Sequence, residues 1–173
     1  MVQAEGPPDH LPTERPMQLH LIRHAHAGSR SAWDGPDDER PLSGRGRRQA
    51  TALATELDGE QIDVLWTSPF LRCRQTLEPL AAGRGLTITD SAAVAEGAAG
   101  PAALDACLAV AEDGRVLAMC SHGDVIPAMV AAAVRRGAEL VGPRALTKGA
   151  RYVCTVADGQ ITHISHVPAP DGH

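Results

Sequence analysis

Three short groups of residues carry side chains on which chemistry can be built: Arg23-His24, Ser68-Pro69 followed by Arg72 and Arg74, and Ser121-His122-Gly123. Two arginines and two histidines gathered around one point make a site for a compact dianion, because guanidinium forks match phosphate oxygens and imidazoles donate hydrogen bonds to them. A histidine placed there can also attack phosphorus, forming a covalent phosphohistidine that water then cleaves. The arginines would stabilise charge on the oxygens of the transferred group. An alkoxide leaving group needs a proton, and its donor would be a carboxylic acid kept protonated by burial or by the phosphate itself. Glu96 and Asp124 are both candidates, and spacing does not choose between them.

The elements that must position these groups are legible as alternating strands and helices. Leu19, Leu21 and Ile22 lie in an apolar strand that ends at Arg23-His24, with Gly28 and Ser29 as turn residues. A polar loop over 29–41 follows, containing Trp33 and the acidic run Asp37-Asp38-Glu39. Ser43 is an N-cap for a helix over 44–57 with Ala50, Leu53, Ala54 and Leu57 on one face. The pattern then predicts a strand over 62–67, a helix from Pro69 to about residue 82, a strand over 86–89 and a loop or broken helix over 92–100. A helix over 101–113, a central strand over 115–121, a helix over 125–136 and a hairpin of 152–157 with 160–167 complete the chain. This is an α/β order: a three-layer sandwich with a mostly parallel central sheet and helices on both faces. Parallel strands end on one edge, so the three polar groups can converge in one pocket.

The expected division is an N-terminal segment over 1–16, one folded domain over 17–168 and a loose tail over 169–173. With 173 residues and 43% hydrophobic content the chain is long enough for a full core. Only four aromatics are present, Trp33, Trp66, Phe70 and Tyr152, so aliphatic side chains and alanine must fill that core. A net charge of -5 argues against nucleic acid or an anionic membrane as partner. Cys73, Cys107, Cys120 and Cys154 are widely spaced and read as buried or free thiols of a reducing compartment. No apolar run is long enough to span a membrane, and Pro7, Pro8, Asp9 and Glu14 occupy the place of a signal peptide's hydrophobic segment, so a cytoplasmic location is expected.

The same residues carry a family resemblance. Leu21-Ile22-Arg23-His24-Ala25 resembles the Arg-His-Gly signature of the histidine phosphatase superfamily, with Ala25 in place of glycine. The run from Thr67 to Thr76 is similar to its Ser-Pro-x-x-Arg-x-x-Gln-Thr signature, and Ser121-His122-Gly123 resembles its third. All three stand in the expected order. The resemblance implies the phosphoglycerate mutase-like fold, His24 as phosphoryl acceptor, Arg23, Arg72 and His122 as the phosphate pocket, and Glu96 as the acid, with no metal or organic cofactor. Arg30 and Lys148 are candidates for contacts beyond the phosphate, or else surface charges paired with acids of the 37–39 run. Arg40-Pro41-Leu42-Ser43, Gly46 and Gln49-Ala50 look like the small SixA-like phosphohistidine phosphatases, and at least as much like the phosphatase domain that follows Nudix domains in some MutT-type hydrolases. Arg30 stands where phosphoglycerate mutases carry the asparagine of Ser-x-x-Asn, which speaks against mutase activity.

The expected substrate is therefore a phosphorylated small molecule or a phosphohistidine protein. Two rivals belong to other classes. His24-x-His26 could hold a metal in a hydrolase, although the barrel that often carries such sites needs about 250 residues. A non-catalytic phosphate-binding protein could retain the same pocket without turnover.

Overall fold

The computed structural model describes residues 16–172, so the segment expected over 1–16 lies almost wholly outside the described residues. The elements run β1 (Met17–Arg23), α1 (Gly44–Glu56), β2 (Val64–Thr67), α2 (Leu71–Arg84), β3 (Ile88–Asp90), α3 (Gly100–Glu112), β4 (Leu117–Ser121), α4 (Val125–Arg135), β5 (Glu139–Val141), β6 (Arg151–Ala157) and β7 (Gln160–Val167). They form one seven-stranded sheet in the order β3-β2-β4-β1-β6-β7-β5. The first four strands of that order are parallel, β6 is antiparallel to both β1 and β7, and β5 is parallel to β7.

Strand alternation sends side chains of β1 to opposite faces. Leu19 and Leu21 enter a core with Leu117, Met119, Tyr152 and the apolar sides of α3 and α4. Ile22 enters the other, with Ala118, Cys120, Leu53 of α1, Leu57 at the end of that helix and Leu77 of α2. Both faces of β1 and β4 are thus covered, and every residue of β4 is buried, as a central parallel strand requires. All four cysteines are buried free thiols.

The sheet carries one strand the sequence pattern did not show. β5 is three residues long with no buried position, so it has neither the length nor the apolar alternation that marks a strand. The 29–41 segment is not a plain loop, since Arg30–Ala32 and Asp37–Glu39 each form a short 3-10 turn. The tail, expected to hang free, packs on α1: Arg48 Nε donates to the Gly172 carbonyl at 2.7 Å, and Pro170 is buried. Among the described residues, no helix is long and apolar enough to cross a membrane.

Candidate active site

The parallel register brings the strand ends together. Arg23 of β1 lies opposite Ser121 of β4, and Thr67 of β2 lies opposite Cys120, so His24, Ser68 and His122 leave the sheet side by side. Because β6 runs the other way, the turn that enters it reaches the same edge. There Gly149 N donates to the Arg23 and His24 carbonyls, which places Lys148 beside them. The cavity at this edge is about 320 Å³, and its walls include Arg23, His24, Arg30, Arg40, Arg72, Glu96, His122, Asp124 and Lys148. The opposite end of the strands holds a cavity of similar size, about 340 Å³, but its described walls carry no cation.

His24 is buried and held from both sides. Its backbone N–H donates to the Ser121 carbonyl at 3.0 Å, and its Nδ1 lies 2.8 Å from the Ala25 carbonyl. A carbonyl only accepts, so Nδ1 carries the proton and Nε2 keeps its lone pair. Burial pushes the His24 imidazole down to about 3, with Arg72, His122 and Arg23 adding to the effect against the opposing pull of the Ala25 carbonyl. The ring is therefore neutral at pH 7. Ala25 is itself fixed, its N–H donating to Thr76 Oγ1, and Gln75 Oε1 accepts from Leu42 N. The Gln-Thr pair of α2 thus ties down the chain on either side of the 29–41 segment.

His122 is 2% exposed, hydrogen-bonded through Nε2 to Ser68 Oγ at 2.7 Å, and stands edge-on to His24 with ring centroids 5.5 Å apart. Phe70 packs against it, and Arg72 lies over the Phe70 ring. Its neighbour Gly123 has a steric reason to lack a side chain: a Cβ there would stand 2.6 Å from the Arg23 guanidinium carbon. Arg23 is anchored by NH1 on the Leu146 carbonyl. Three buried nitrogens of this group, Arg23 Nε, Arg72 Nε and His122 Nδ1, find no hydrogen-bond acceptor among the described residues.

The acids join the 29–41 segment to the opposite wall. Glu96 pairs with Arg30 at 2.9 Å and with Arg72 at 3.5 Å. Asp124 Oδ2 instead accepts from Gly97 N at 2.9 Å, which holds the segment carrying Glu96. Arg23, His24, Arg30, Arg72, Glu96, His122, Asp124 and Lys148, all named from sequence, line the one cavity, whereas Arg74 turns away to pair with Asp90 at 2.6 Å. Arg72, which could have been a solvated first-turn side chain, is 1% exposed.

Sequence reasoning missed Asp37, Ser68 as a partner of His122, and the burial of Arg40. The Asp37 carboxylate bonds Arg30, Arg40 and Arg72, which hold it below the usual carboxylate range although burial alone would raise it. Its i,i+3 spacing from Arg40 was the available signal, hidden inside an acidic run that reads as solvated. Arg40 is also bonded to the Ala27 carbonyl. Lys148 is made easier to deprotonate by burial and then by Arg23, Arg40 and Arg72. His26 does not share the site of His24: its Nδ1 is 2.7 Å from Ser43 Oγ, the side chain that caps α1 by accepting from Gly46 N. A Cβ at Gly46 would stand 1.9 Å from the His26 carbonyl, so the first turn of α1 can lie this close only with glycine there. Among the described residues no group of three or more metal-ligating side chains is assembled.

This fold and this set of side chains define a class. The chain belongs to the histidine phosphatase superfamily (branch 1), whose family model matches residues 19–103. Among curated proteins it is 32% identical over 157 residues to the 8-oxo-(d)GTP phosphatase of Mycolicibacterium smegmatis, a match over 87% of this chain and 48% of that protein. The chain spans about half the length of the curated relatives it matches. Among solved structures it superposes on the protein histidine phosphatase SixA with a TM-score of 0.71 at 22% identity, covering 90% of this chain and 97% of that one. The alpha-ribazole phosphatase from Shigella flexneri gives 0.66 at 16%, covering 90% and 97%.

Proposed function

We propose that the chain is a phosphatase for phosphorylated small molecules, working through a covalent phosphohistidine on His24 and needing no metal or other cofactor. The observation that carries this is the orientation of His24: a neutral imidazole with Nδ1 fixed on a carbonyl and Nε2 left as the nucleophile, inside a cavity walled by arginines. In the first step the Nε2 lone pair bonds phosphorus, the bond from phosphorus to the leaving oxygen breaks, and Glu96 gives that oxygen its proton. Water then attacks the phosphohistidine, the P–N bond breaks, Glu96 takes the water's proton, and inorganic phosphate leaves. Arg23 and Arg72 supply the buried nitrogens for the equatorial oxygens. With the Ser68 hydroxyl donating to Nε2 of His122, the Nδ1–H of that ring is a further donor.

A small molecule is favoured over a protein phosphohistidine by the walls of the site. A protein side chain must be reached by an open, shallow pocket, whereas the Arg30–Glu96 pair joins the 29–41 segment to the 92–97 segment across this one. The name of the M. smegmatis relative supports a nucleotide within that class. Lys148 and Arg30, which line the same cavity, are the residues proposed to contact the substrate beyond the reacting phosphate. Rapid-quench sampling during turnover tests the mechanism: an acid-labile phosphoryl group on His24 is expected, with activity that survives excess chelator. A label on another residue, or none at all, overturns the phosphohistidine; chelator-sensitive turnover supports the metal reading, and no turnover on any phosphorylated compound supports a binding protein.

A further inference from the structure

Trp33 stands out because nothing in the fold requires an indole where it lies. Of the four aromatics, Tyr152 is in the core, Phe70 packs on His122 and Trp66 is part-buried in β2, whereas Trp33 remains 37% exposed on the 29–41 segment. Its ring is nonetheless fixed. Nε1–H donates to the Pro36 carbonyl at 2.9 Å, and a Cβ at Gly35 would lie 3.0–3.1 Å from Nε1, Cε2 and Cζ2, so the indole rests against the Gly35 backbone. It lines a groove of about 220 Å³ with Ala27, Gly28, Ala32 and Leu42. Arg40 lines both this groove and the cavity of His24, so the two lie on either side of one guanidinium.

An aromatic ring held in place beside a groove that shares its Arg40 wall with a cation-lined cavity is a platform for a flat ring on a phosphorylated ligand. We propose that Trp33 stacks the base of a nucleoside phosphate whose reacting phosphate sits at His24, so that this side chain selects nucleotides over other phosphorylated metabolites. The inference rests on the phosphatase reading above. It adds the residue that recognises the organic part of the substrate. Arg30, three residues before Trp33, lines the cavity of His24 and pairs there with Asp37 and Glu96, a guanidinium that can meet further phosphate charge on such a ligand.

The test compares kcat and KM for GTP and for ribose 5-phosphate in the wild type, Trp33→Ala and Trp33→Phe. Loss of one base-stacking contact raises KM for GTP about tenfold or more in Trp33→Ala, and the preference for GTP over ribose 5-phosphate falls by the same factor. Trp33→Phe keeps most of that preference. A Trp33→Ala variant with wild-type KM for GTP, or one impaired equally on both substrates, overturns the inference. Turnover of ribose 5-phosphate without turnover of GTP overturns it too, while leaving the phosphatase standing. Quenching of tryptophan fluorescence by GMP reads binding independently of catalysis: it is expected in the wild type and lost in Trp33→Phe, and its absence from the wild type overturns the stacking role even if the phosphatase reading itself fails.

Discussion

His20 lies within β1 and His24 follows directly after its last residue, and both are buried neutral imidazoles. At the end of β1, His24 has one ring nitrogen fixed by the Ala25 carbonyl and faces a cavity lined by cations. In the middle of β1, His20 is 0% exposed on the face that carries Ile22, and both of its ring nitrogens lack partners among the described residues. Burial lowers the basicity of each, to about 3 for His24 and about 4 for His20, and nearby arginines deepen both shifts. The same physical cause therefore serves the proposed nucleophile at one position and is a stability cost at the other. A perturbed imidazole becomes chemistry only where backbone geometry fixes its tautomer and a cavity admits a substrate.

The largest expected effect separates the two directly. His24→Ala removes the atom proposed to bond phosphorus and should lower kcat by about a thousandfold or more, while His20→Leu, outside the cavity lining, keeps turnover within about threefold of wild type. Steady-state rates on one good substrate check both. Comparable losses in the two variants would mean that the site is sensed through β1 as a whole, and the contrast would collapse.

A smaller effect sharpens what the cavity adds to the His24 end. Glu96, the acid of the proposed mechanism, lies against Arg30 and Arg72, whereas Asp124 accepts from Gly97 N. Glu96→Gln should slow esters with poor leaving groups by about a hundredfold and activated aryl phosphates much less. If Asp124→Asn shows that dependence on the leaving group instead, the two roles are exchanged.

Legibility followed the size of the physical signal. Six of the seven strands and the four helices were readable because apolar runs and turn residues repeat clearly, and Arg23, His24, Arg72 and His122 could be grouped because parallel strands share an edge. Ser43 was readable as a cap from its place before an apolar stripe. What stayed hidden depends on contacts between segments far apart in the chain. Asp37 becomes a hub only when Arg72 is brought 35 positions back to meet it, and β5 is a strand only because β7 is there to pair with it. His20 gave no signal at all, since a histidine in an apolar strand has the same appearance whether or not its nitrogens find partners.

The smallest effect concerns that residue and acts on stability alone. A buried ring with two unpartnered nitrogens gives up hydration without return, so His20→Leu, which fills a similar volume with apolar atoms, should stabilise the fold by about 1–2 kcal/mol at pH 7. The gain should then grow as the pH falls. In the folded wild type His20 takes up its proton near pH 4, whereas in the unfolded chain it does so near 6.5, so between these values the unfolded state binds more protons and wild-type stability declines. The gap corresponds to about 3 kcal/mol for this one residue, and below pH 4 the loss levels off because both states are protonated. Urea unfolding of the two proteins at pH 7.5, 6, 5 and 4 measures it. Stability curves that fall in parallel would show that His20 does not titrate on unfolding, whereas a divergence that opens below pH 6.5 isolates the half of the comparison in which burial serves no reaction.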